Sequence, residues 1–309
     1  MPQTNAGVRI IDPILSTVAQ GYANQEYVGM NLFPGVPVSA SGGQILEFGR
    51  EAFRLYSSAR SPGSGTRRVQ YGYLGRPFAL ENHSLEGMVP REHQRDAAQV
   101  PGIDLGKGAV KKTMKALQLS LEVAQATVAT NAANYPGTNK VALAGAAKWS
   151  DPGCDIVAGV DVGREAIRSQ CGLYPNVLVL SPVAFNAAKN NPKIVARFQY
   201  TSAQSITPEM LAGIFNVKKV VVGAAVYWTD ANVATDVWGN NAVLAYVPEG
   251  QLSDVDEPSY GYTYTMDGNP AAEPPYYDNN SKSWIYPVTY ERVPVISGII
   301  AGYLIQNPA

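Results

Sequence analysis

Charged residues are scarce in this sequence: 24 are Lys or Arg and 25 are Asp or Glu, which together make up 16% of 309 residues. Soluble domains usually contain about 25%. The net charge of −1 argues against a protein that binds polyanions through bulk charge. Hydrophobic residues account for 46%, which is enough for a core and excludes wholesale disorder. The low content of charged residues therefore indicates that much of the surface contacts other protein.

Histidine and cysteine are rarer still, with only His83, His93, Cys154 and Cys171. A zinc site needs about four nitrogen or sulfur ligands at characteristic spacing. The separation of the two cysteines matches no pair of metal ligands, so no metal site is predicted. Buried free thiols are favoured over a disulfide, and two cysteines in this state fit a reducing cytoplasm.

The usual signatures of enzymes are also missing. The sequence has no phosphate-binding loop ending in Gly-Lys-Ser/Thr, no Gly-x-Ser-x-Gly and no His-Glu-x-x-His. His83 and His93 lie beside Glu81, Glu86 and Glu92, but no third group is identifiable that would orient an acid–base pair. We therefore interpret them as exposed or interface histidines. No catalytic residue, cofactor site or enzymatic activity is predicted.

Segments that would target the chain to a membrane are not evident. The first residues contain no basic region followed by an apolar run, so no signal peptide is predicted. The most apolar stretch, from Val293 to Ile305, is interrupted by Pro294 and is too short to span a bilayer. We expect a soluble protein that does not contact membranes.

The strongest periodic pattern predicts a long helix from Asp104 to about Thr130. Asp104 is a plausible N-cap, and a helix of this length would measure about 40 Å, which is more a strut than a core filler. Apolar residues recur every three to five positions and mark its buried face: Leu105, Val110, Met114, Leu117, Leu121, Ala124 and Val128.

After residue 150 the pattern alternates shorter helices with strands, which predicts a mixed α+β fold. Strand-like runs at Ile45–Arg50 and Arg67–Tyr73 flank a Gly/Ser/Pro-rich tip and predict a long β-hairpin. The predicted helices are Asp155–Cys171, Pro182–Asn190 and Thr207–Phe215. Buried strands are predicted at Val177–Leu180, Val217–Val222 and Ala242–Val247, an exposed strand at Tyr260–Thr265, and final strands at Lys282–Tyr290 and Val293–Ile305.

The charges are sorted along the chain. Residues 45–80 have six arginines and two acids, whereas residues 81–104 have five acids and two arginines. Residues 107–219 have 13 basic and six acidic residues, and the segment between Lys219 and Lys282 has nine acids and no base. Opposed patches of this kind can set the register between copies of one chain.

The order of these parts resembles the major capsid protein family of tailed double-stranded DNA bacteriophages, which has the Hong Kong 97 (HK97)-type coat fold. Several stretches read like sequences of that family throughout the chain: Leu32–Val38, Phe53–Tyr56, Val100–Leu105, Trp149–Pro152, Asn176–Pro182, Asp236–Asn240 and Ser283–Val288.

The resemblance implies a division of the chain and a structural function. The implied parts are an N-terminal arm at 1–44, an extended loop at 45–80, a peripheral domain at 81–150 that includes the spine helix at about 104–130, an axial domain at 151–280, and return strands to the peripheral domain at 281–309. The implied function is self-assembly, through hexamers and pentamers, into the icosahedral head shell of a virion. The shell would enclose packaged DNA by containment, without sequence-specific binding, after assembly in the cytoplasm of a bacterial host.

The resemblance also implies portal, scaffold or decoration proteins as partners. Some members link subunits through an isopeptide bond from a lysine in the extended loop. The first lysine here is Lys107, so this loop cannot form that bond.

The charge pattern and the resemblance together predict an interface between copies, in which the arginine-rich loop docks on acidic surface of a neighbour. The predicted interface residues are basic (Arg50, Arg54, Arg60, Arg67, Arg68, Arg76), aromatic (Phe53, Tyr56, Tyr71, Tyr73) and acidic (Glu81, Glu86, Glu92). Two alternatives remain open from the sequence. One is the shell of an encapsulin-like nanocompartment of the same fold. The other is an α+β hydrolase, which is less favoured because no nucleophile with a base is identifiable.

Overall fold

A computed structural model describes residues 15, 27–46, 55, 59–60, 63, 66, 75–97, 104–198, 206–248 and 259–309. The strand predicted at Arg67–Tyr73 therefore lies outside the described residues. Helices in the described ranges are α1 (Arg91–Ala97), α2 (Leu105–Thr130), α3 (Ile156–Cys171), α4 (Pro182–Asn190), α5 (Pro192–Phe198) and α6 (Pro208–Ile214). None of these helices is long and apolar enough to cross a membrane.

Strands in the described ranges form two larger sheets and two ribbons. They are β1 (Gly35–Val38), β2 (Gly42–Leu46), β3 (Gly75–Ala79), β4 (Glu81–Pro90), β5 (Lys140–Ala142), β6 (Val177–Leu180), β7 (Lys219–Val222), β8 (Val226–Trp228), β9 (Ala234–Asp236), β10 (Asn241–Ala245), β11 (Gly261–Met266), β12 (Ala271–Ala272), β13 (Tyr276–Asp278), β14 (Ser283–Ile296) and β15 (Gly302–Gln306).

The long helix α2 begins and ends where its sequence pattern predicts. The side chain of Asp104 caps it by accepting a hydrogen bond from the backbone N–H of Lys107 at 3.0 Å. Its predicted apolar face is buried from Val110 through Leu121, but Ala124 and Val128 are only half-buried. The buried face shifts to Gln125, Ala126 and Ala129 because a helical period of 3.6 residues drifts away from a strict seven-residue spacing.

The first sheet is organised around β14. This strand pairs with β4 over ten residues and with β11 on its other side, and β11 in turn pairs in parallel with β1. Helix α2 packs across the sheet, where Val110 and Met114 meet Val288 and Tyr286. The stem of the predicted hairpin is the antiparallel β2–β3 ribbon, and it rests on this sheet through Phe78, whose ring stacks on Tyr264 at 4.4 Å.

The second sheet has the strand order β5-β15-β10-β6-β7. Its strand β6 is fully buried, and helix α3 packs against the sheet through Ile156, Val160 and Ile167. Helix α3 is capped by Asp155 and ends at Gly172 in the left-handed conformation, as is common at helix C-termini. Short helices α4 and α6 start with Pro182 and Pro208 at the first turn, where a missing N–H costs nothing.

Three expectations about the C-terminal third were wrong. The strand predicted to be exposed at Tyr260–Thr265 is internal: β11 has partners on both edges, and Tyr260 and Thr263 are fully buried. The break predicted between the final strands, after Tyr290, is also wrong, since β14 runs without interruption past Glu291 and Pro294. The last strand, β15, then joins the second sheet beside β10 instead of the sheet that contains β14.

Both cysteines are free, as predicted. Cys171 is buried and donates from its thiol to the carbonyl of Ile167 at 3.2 Å. Cys154 is only half-buried, so the expectation of two buried thiols holds for one of them. Burial raises the pKa of both thiols, so neither is a reactive thiolate at neutral pH.

Candidate assembly interface

Most of the loop residues predicted to contact a neighbour lie outside the described residues: Arg50, Phe53, Arg54, Tyr56, Arg67, Arg68, Tyr71 and Tyr73. Arg60 and Arg76 are described, and both are exposed. Arg76 lies on β3 and lines a cleft of about 270 Å³, together with Val128 of α2 and Pro294 of β14. Strand β3, which belongs to the predicted extended loop, thus lies at the junction of the first sheet and the end of α2.

The three acidic residues of the predicted interface are exposed and belong to one segment. Glu81 and Glu86 lie on β4, and Glu92 lies in the first turn of α1. Glu86 accepts a hydrogen bond from the hydroxyl of Tyr276 at 3.2 Å, and Glu92 lies 3.5 Å from Arg91. Exposed pairs of this kind contribute about 0–1 kcal/mol, so these carboxylates remain available to another partner. Their docking to loop arginines stays a prediction.

His83 lies on the same strand with its Nε2 atom 3.6 Å from the carboxylate of Glu81. Burial, assisted by the nearby guanidinium of Arg292, lowers the pKa of this histidine below its ordinary value of 6.5. The imidazole is therefore neutral at pH 7. His83 and Glu81 form a polar contact at the sheet edge.

Exposed apolar side chains accompany these acids and were missed from the sequence. Leu85 is 45% exposed and Met88 is 59% exposed, and they flank Glu86 on β4. A signal was available, because both are large apolar residues within the acidic segment 81–92. The spacing does not reveal which face of the strand is covered; that depends on α2, which passes so close to Gly87 that an added Cβ would lie 2.9 Å from Ala109.

A buried carboxylate on α2 connects three distant parts of the chain. Glu122 is 2% exposed and accepts backbone hydrogen bonds from Val28 at 3.0 Å and Gly29 at 2.9 Å. It also accepts a hydrogen bond from the indole of Trp238 at 2.8 Å. Burial raises the pKa of Glu122 above 4.5, and these three donors oppose the shift. The carboxylate fixes the N-terminal segment and the region after β9 to the long helix.

Two further buried polar contacts tie α2 to the sheets. The amide Nε2 of Gln125 donates to the hydroxyl of Thr263 on β11 at 2.8 Å. The hydroxyl of Tyr135, after the helix, donates to the carbonyl of Ala129 at 2.7 Å and is hydrogen-bonded to the hydroxyl of Tyr260. Desolvation raises the pKa of both tyrosines, so both stay protonated and keep these contacts.

Arg292 is an unusual cation on β14. Its side chain is 1% exposed, and neither Nη atom has a hydrogen-bond partner in the part of the chain that the structure describes. The guanidinium stacks on the ring of Tyr290 at 4.4 Å. Loss of water around the charge lowers the pKa of Arg292 to about 10, so it remains charged at neutral pH. No comparable feature was expected from the sequence.

Among the described residues, no group of three or more His, Cys, Asp or Glu is placed to hold a metal ion. One cleft, about 660 Å³, is an open groove lined by Tyr174, Asn176 and Lys218 among others. It contains neither histidine nor cysteine, and its tyrosine lies beside Arg164 of α3 in a cation–π contact at 5.0 Å.

Comparisons with known proteins agree with this description. Residues 130–280 match the family model of phage major capsid protein E. The chain is 37% identical, over 304 residues, to the major capsid protein of Burkholderia phage BcepMu, and the match covers 97% of each chain. The chain belongs to the phage major capsid protein family. A crystal structure of a phage-related protein from Bordetella bronchiseptica RB50 is 45% identical, with a TM-score of 0.86 over 97% of this chain and 98% of that one.

More distant structures show the same fold. The capsid of cyanophage P-SCSP1u has a TM-score of 0.59 at 10% identity and covers 99% of this chain and 92% of that one. The SrpI encapsulin of Synechococcus elongatus has a TM-score of 0.55 at 12% identity, over 99% of this chain and 96% of that one. The predicted HK97-type α+β fold is confirmed. The high identity to the capsid family favours a shell-forming phage capsid protein over the encapsulin alternative, and this family is a structural one.

Proposed function

We propose that copies of this chain assemble, as hexamers and pentamers, into the icosahedral head shell of a bacteriophage. The observation that carries the proposal is the 37% identity to a phage major capsid protein over 97% of the chain. A closed shell repeats a few interfaces under symmetry, so each subunit must offer complementary surfaces. The sorting of charge along this sequence and the exposed apolar side chains of β4 fit that requirement.

The proposed division assigns the chain to five parts. Residues 1–44 form the arm, 45–80 the extended loop, 81–150 the peripheral domain, 151–280 the axial domain and 281–309 the return strands. The division needs two adjustments, since β15 pairs with β10 on one side and with β5 on the other, so both β15 and β5 belong to the sheet of the axial part. Strand β14 provides the return to the peripheral part, where it pairs with β4.

The proposed interface places the arginines of the extended loop against the acidic segment 81–92 of a neighbouring copy. Its acids are exposed, and the ring of Phe78 holds the base of the loop on the first sheet. Exposed ion pairs contribute about 0–1 kcal/mol each. They would therefore set the register, while apolar contacts around Leu85 and Met88 supply most of the adhesion.

DNA is the proposed content of the shell. The net charge of −1 provides little attraction for phosphates, so the shell would retain DNA by enclosing it. We further propose portal, scaffold or decoration proteins as partners, assembly in the bacterial cytoplasm, and no enzymatic activity.

Electron microscopy of the purified full chain tests the proposed function. We expect closed icosahedral shells or free capsomers after expression in bacteria. A protein that stays monomeric over a wide range of concentration and salt would overturn the proposal. Mass spectrometry of particle contents separates the alternatives, because a specifically enclosed enzyme would indicate a nanocompartment.

A further inference from the structure

The ribbon β8–β9 carries an uncovered apolar face. Its strands pair Val226 with Asp236 and Trp228 with Ala234. Val226 and Trp228 are two residues apart and so lie on the same face of the ribbon. Trp228 is 70% exposed, Val226 is 43% exposed, and Val233 at the turn is 57% exposed. A two-stranded ribbon gains little stability alone, and an exposed tryptophan on it marks a contact surface.

The ribbon is nevertheless held firmly. At its base, the backbone N–H of Val237 donates to Ala225 at 3.0 Å, and the next residue, Trp238, is buried and bonded to Glu122. At its tip, the backbone N–H of Thr229 donates to the carbonyl of Val233 at 3.0 Å. The apolar face is therefore presented in a defined position and needs no ordering before it binds, which lowers the cost of association.

The charged side chains of this ribbon have one sign. Asp230 lies at its tip and Asp236 lies opposite Val226, and no base occurs between Lys219 and Lys282. Neither aspartate has an ion pair with a described residue. A partner for this surface should combine exposed apolar side chains with an excess of positive charge.

Helices α4 and α5 of the same chain carry exposed apolar side chains and bases. Val183 and Val195 are 44% and 45% exposed. The segment from Pro182 to Phe198 includes Lys189, Lys193 and Arg197 and no acid. None of these three bases forms an ion pair with a described residue, although Lys193 donates to the carbonyl of Gly153 at 2.6 Å.

We propose that the β8–β9 ribbon of one copy docks on the α4–α5 surface of a second copy. Trp228 would lie between Val183 and Val195, and the aspartates of the ribbon would face the bases of α4 and α5. Since the two surfaces belong to different parts of the chain, the contact is heterologous, and repetition of such a contact closes a ring when the rotation permits. The inference rests on the proposed function and assigns one contact of the capsomer to named residues.

Crosslinking tests the contact directly. In a Cys154→Ser background, a chain with Val233→Cys and Val195→Cys is assembled and treated with a short flexible bismaleimide. We expect a ladder of linked copies on a denaturing gel, up to the size of the ring. The two variants with one introduced cysteine each are the matched controls and should remain monomeric on the gel, since the remaining Cys171 is buried. A double variant that assembles but shows no ladder beyond these controls would overturn the contact.

A charge swap tests whether opposite charges hold the proposed contact together. Asp230→Lys with Asp236→Lys should reduce the assembled fraction at least tenfold, as should Lys189→Glu with Arg197→Glu. Combining all four changes in one chain should restore assembly, which a loss of folding would not do. Equal failure of the combined chain, with unchanged circular dichroism and unfolding midpoint, would overturn the contact. Shells that form normally in every variant would overturn it and leave the proposed function standing, whereas a strictly monomeric wild type would overturn both.

Discussion

The indole of Trp238 donates a hydrogen bond to the carboxylate of Glu122 across 116 residues of sequence, at a distance of 2.8 Å. Both side chains are buried, and the same carboxylate also accepts backbone hydrogen bonds from Val28 and Gly29. The long helix, the N-terminal segment and the second sheet therefore meet at one charged group. A buried charge of this kind is stable only while its donors stay in place.

Replacement of Trp238 by Phe removes one of these donors, so the buried carboxylate of Glu122 has fewer hydrogen bonds to offset its loss of water. We expect the free energy of unfolding to fall by about 2–3 kcal/mol, since hydrogen bonds to charged groups contribute about 1.5–3 kcal/mol. Urea unfolding of the unassembled chain, followed by far-UV circular dichroism, measures the change. The matched control is Trp228→Phe on the exposed ribbon, which should change stability by less than about 0.5 kcal/mol. Equal effects of the two substitutions would contradict the role given to Trp238.

The raised pKa of Glu122 predicts a pH dependence with a definite sign. Its folded pKa lies above the ordinary 4.5, so the folded state holds this proton more tightly than the unfolded state. The free energy of unfolding should therefore decrease as pH rises from about 4.5 through the folded pKa. Glu122→Gln does not titrate and serves as the reference. The stability of the wild type minus that of the variant should fall across this window, and a rise would mean that the donors outweigh burial.

Two glycines in the first turns of α2 differ in the space around them, so replacing each by alanine should change the free energy of unfolding in opposite directions. A Cβ at Gly106 would lie 2.8 Å from the ring of Tyr286, whereas a Cβ at Gly108 would meet no atom within 4 Å. Gly106→Ala should lower the free energy of unfolding by about 1–3 kcal/mol through overpacking. Gly108→Ala should raise it by about 0.5–1 kcal/mol, because alanine restricts the unfolded chain and favours the helix. Thermal unfolding of the two variants side by side distinguishes the cases.

The buried guanidinium of Arg292 should destabilise the isolated subunit. Its Nη atoms have no hydrogen-bond partner among the described residues, and an unsatisfied buried polar group costs about 1–3 kcal/mol or more. Arg292→Met retains an unbranched chain without the charge and should raise the free energy of unfolding by about 1 kcal/mol. Arg292→Lys keeps the charge but loses the planar contact with Tyr290, so it should lower stability. If both variants were destabilised equally, packing rather than charge would dominate at this position.

Reversal of Arg67 and Arg68 to Glu tests the proposed contact of the extended loop. We expect a lower yield of shells, measured by sedimentation and electron microscopy, with no change in the unfolding midpoint of the subunit. A second chain that also contains Glu81→Arg and Glu86→Arg should recover part of the yield. Unchanged assembly in the first variant would show that these arginines do not set the register between copies.

Local sequence patterns were sufficient for elements whose residues interact mainly with near neighbours. The cap at Asp104 and the apolar repeat from Val110 to Leu121 predicted α2, and the proline at the first turn predicted α4. The patterns failed for β11, because an alternation of aromatic and polar residues is typical of a strand with one face exposed to solvent, whereas β11 is internal. Thr263 is buried there since Gln125 donates to it and it donates to Phe33.

The sequence by itself determined the α+β class, the long helix and the sorting of charge into an arginine-rich segment at 45–80, a basic middle and an acidic segment. Only the tertiary structure decided which polar groups are buried, as at Glu122 and Arg292, and which apolar ones are exposed, as at Met88 and Trp228. The physical reason is that helical and strand periods report contacts over a few residues. Burial of a particular side chain depends on partners that lie a hundred or more residues away, as Trp238 does from Glu122.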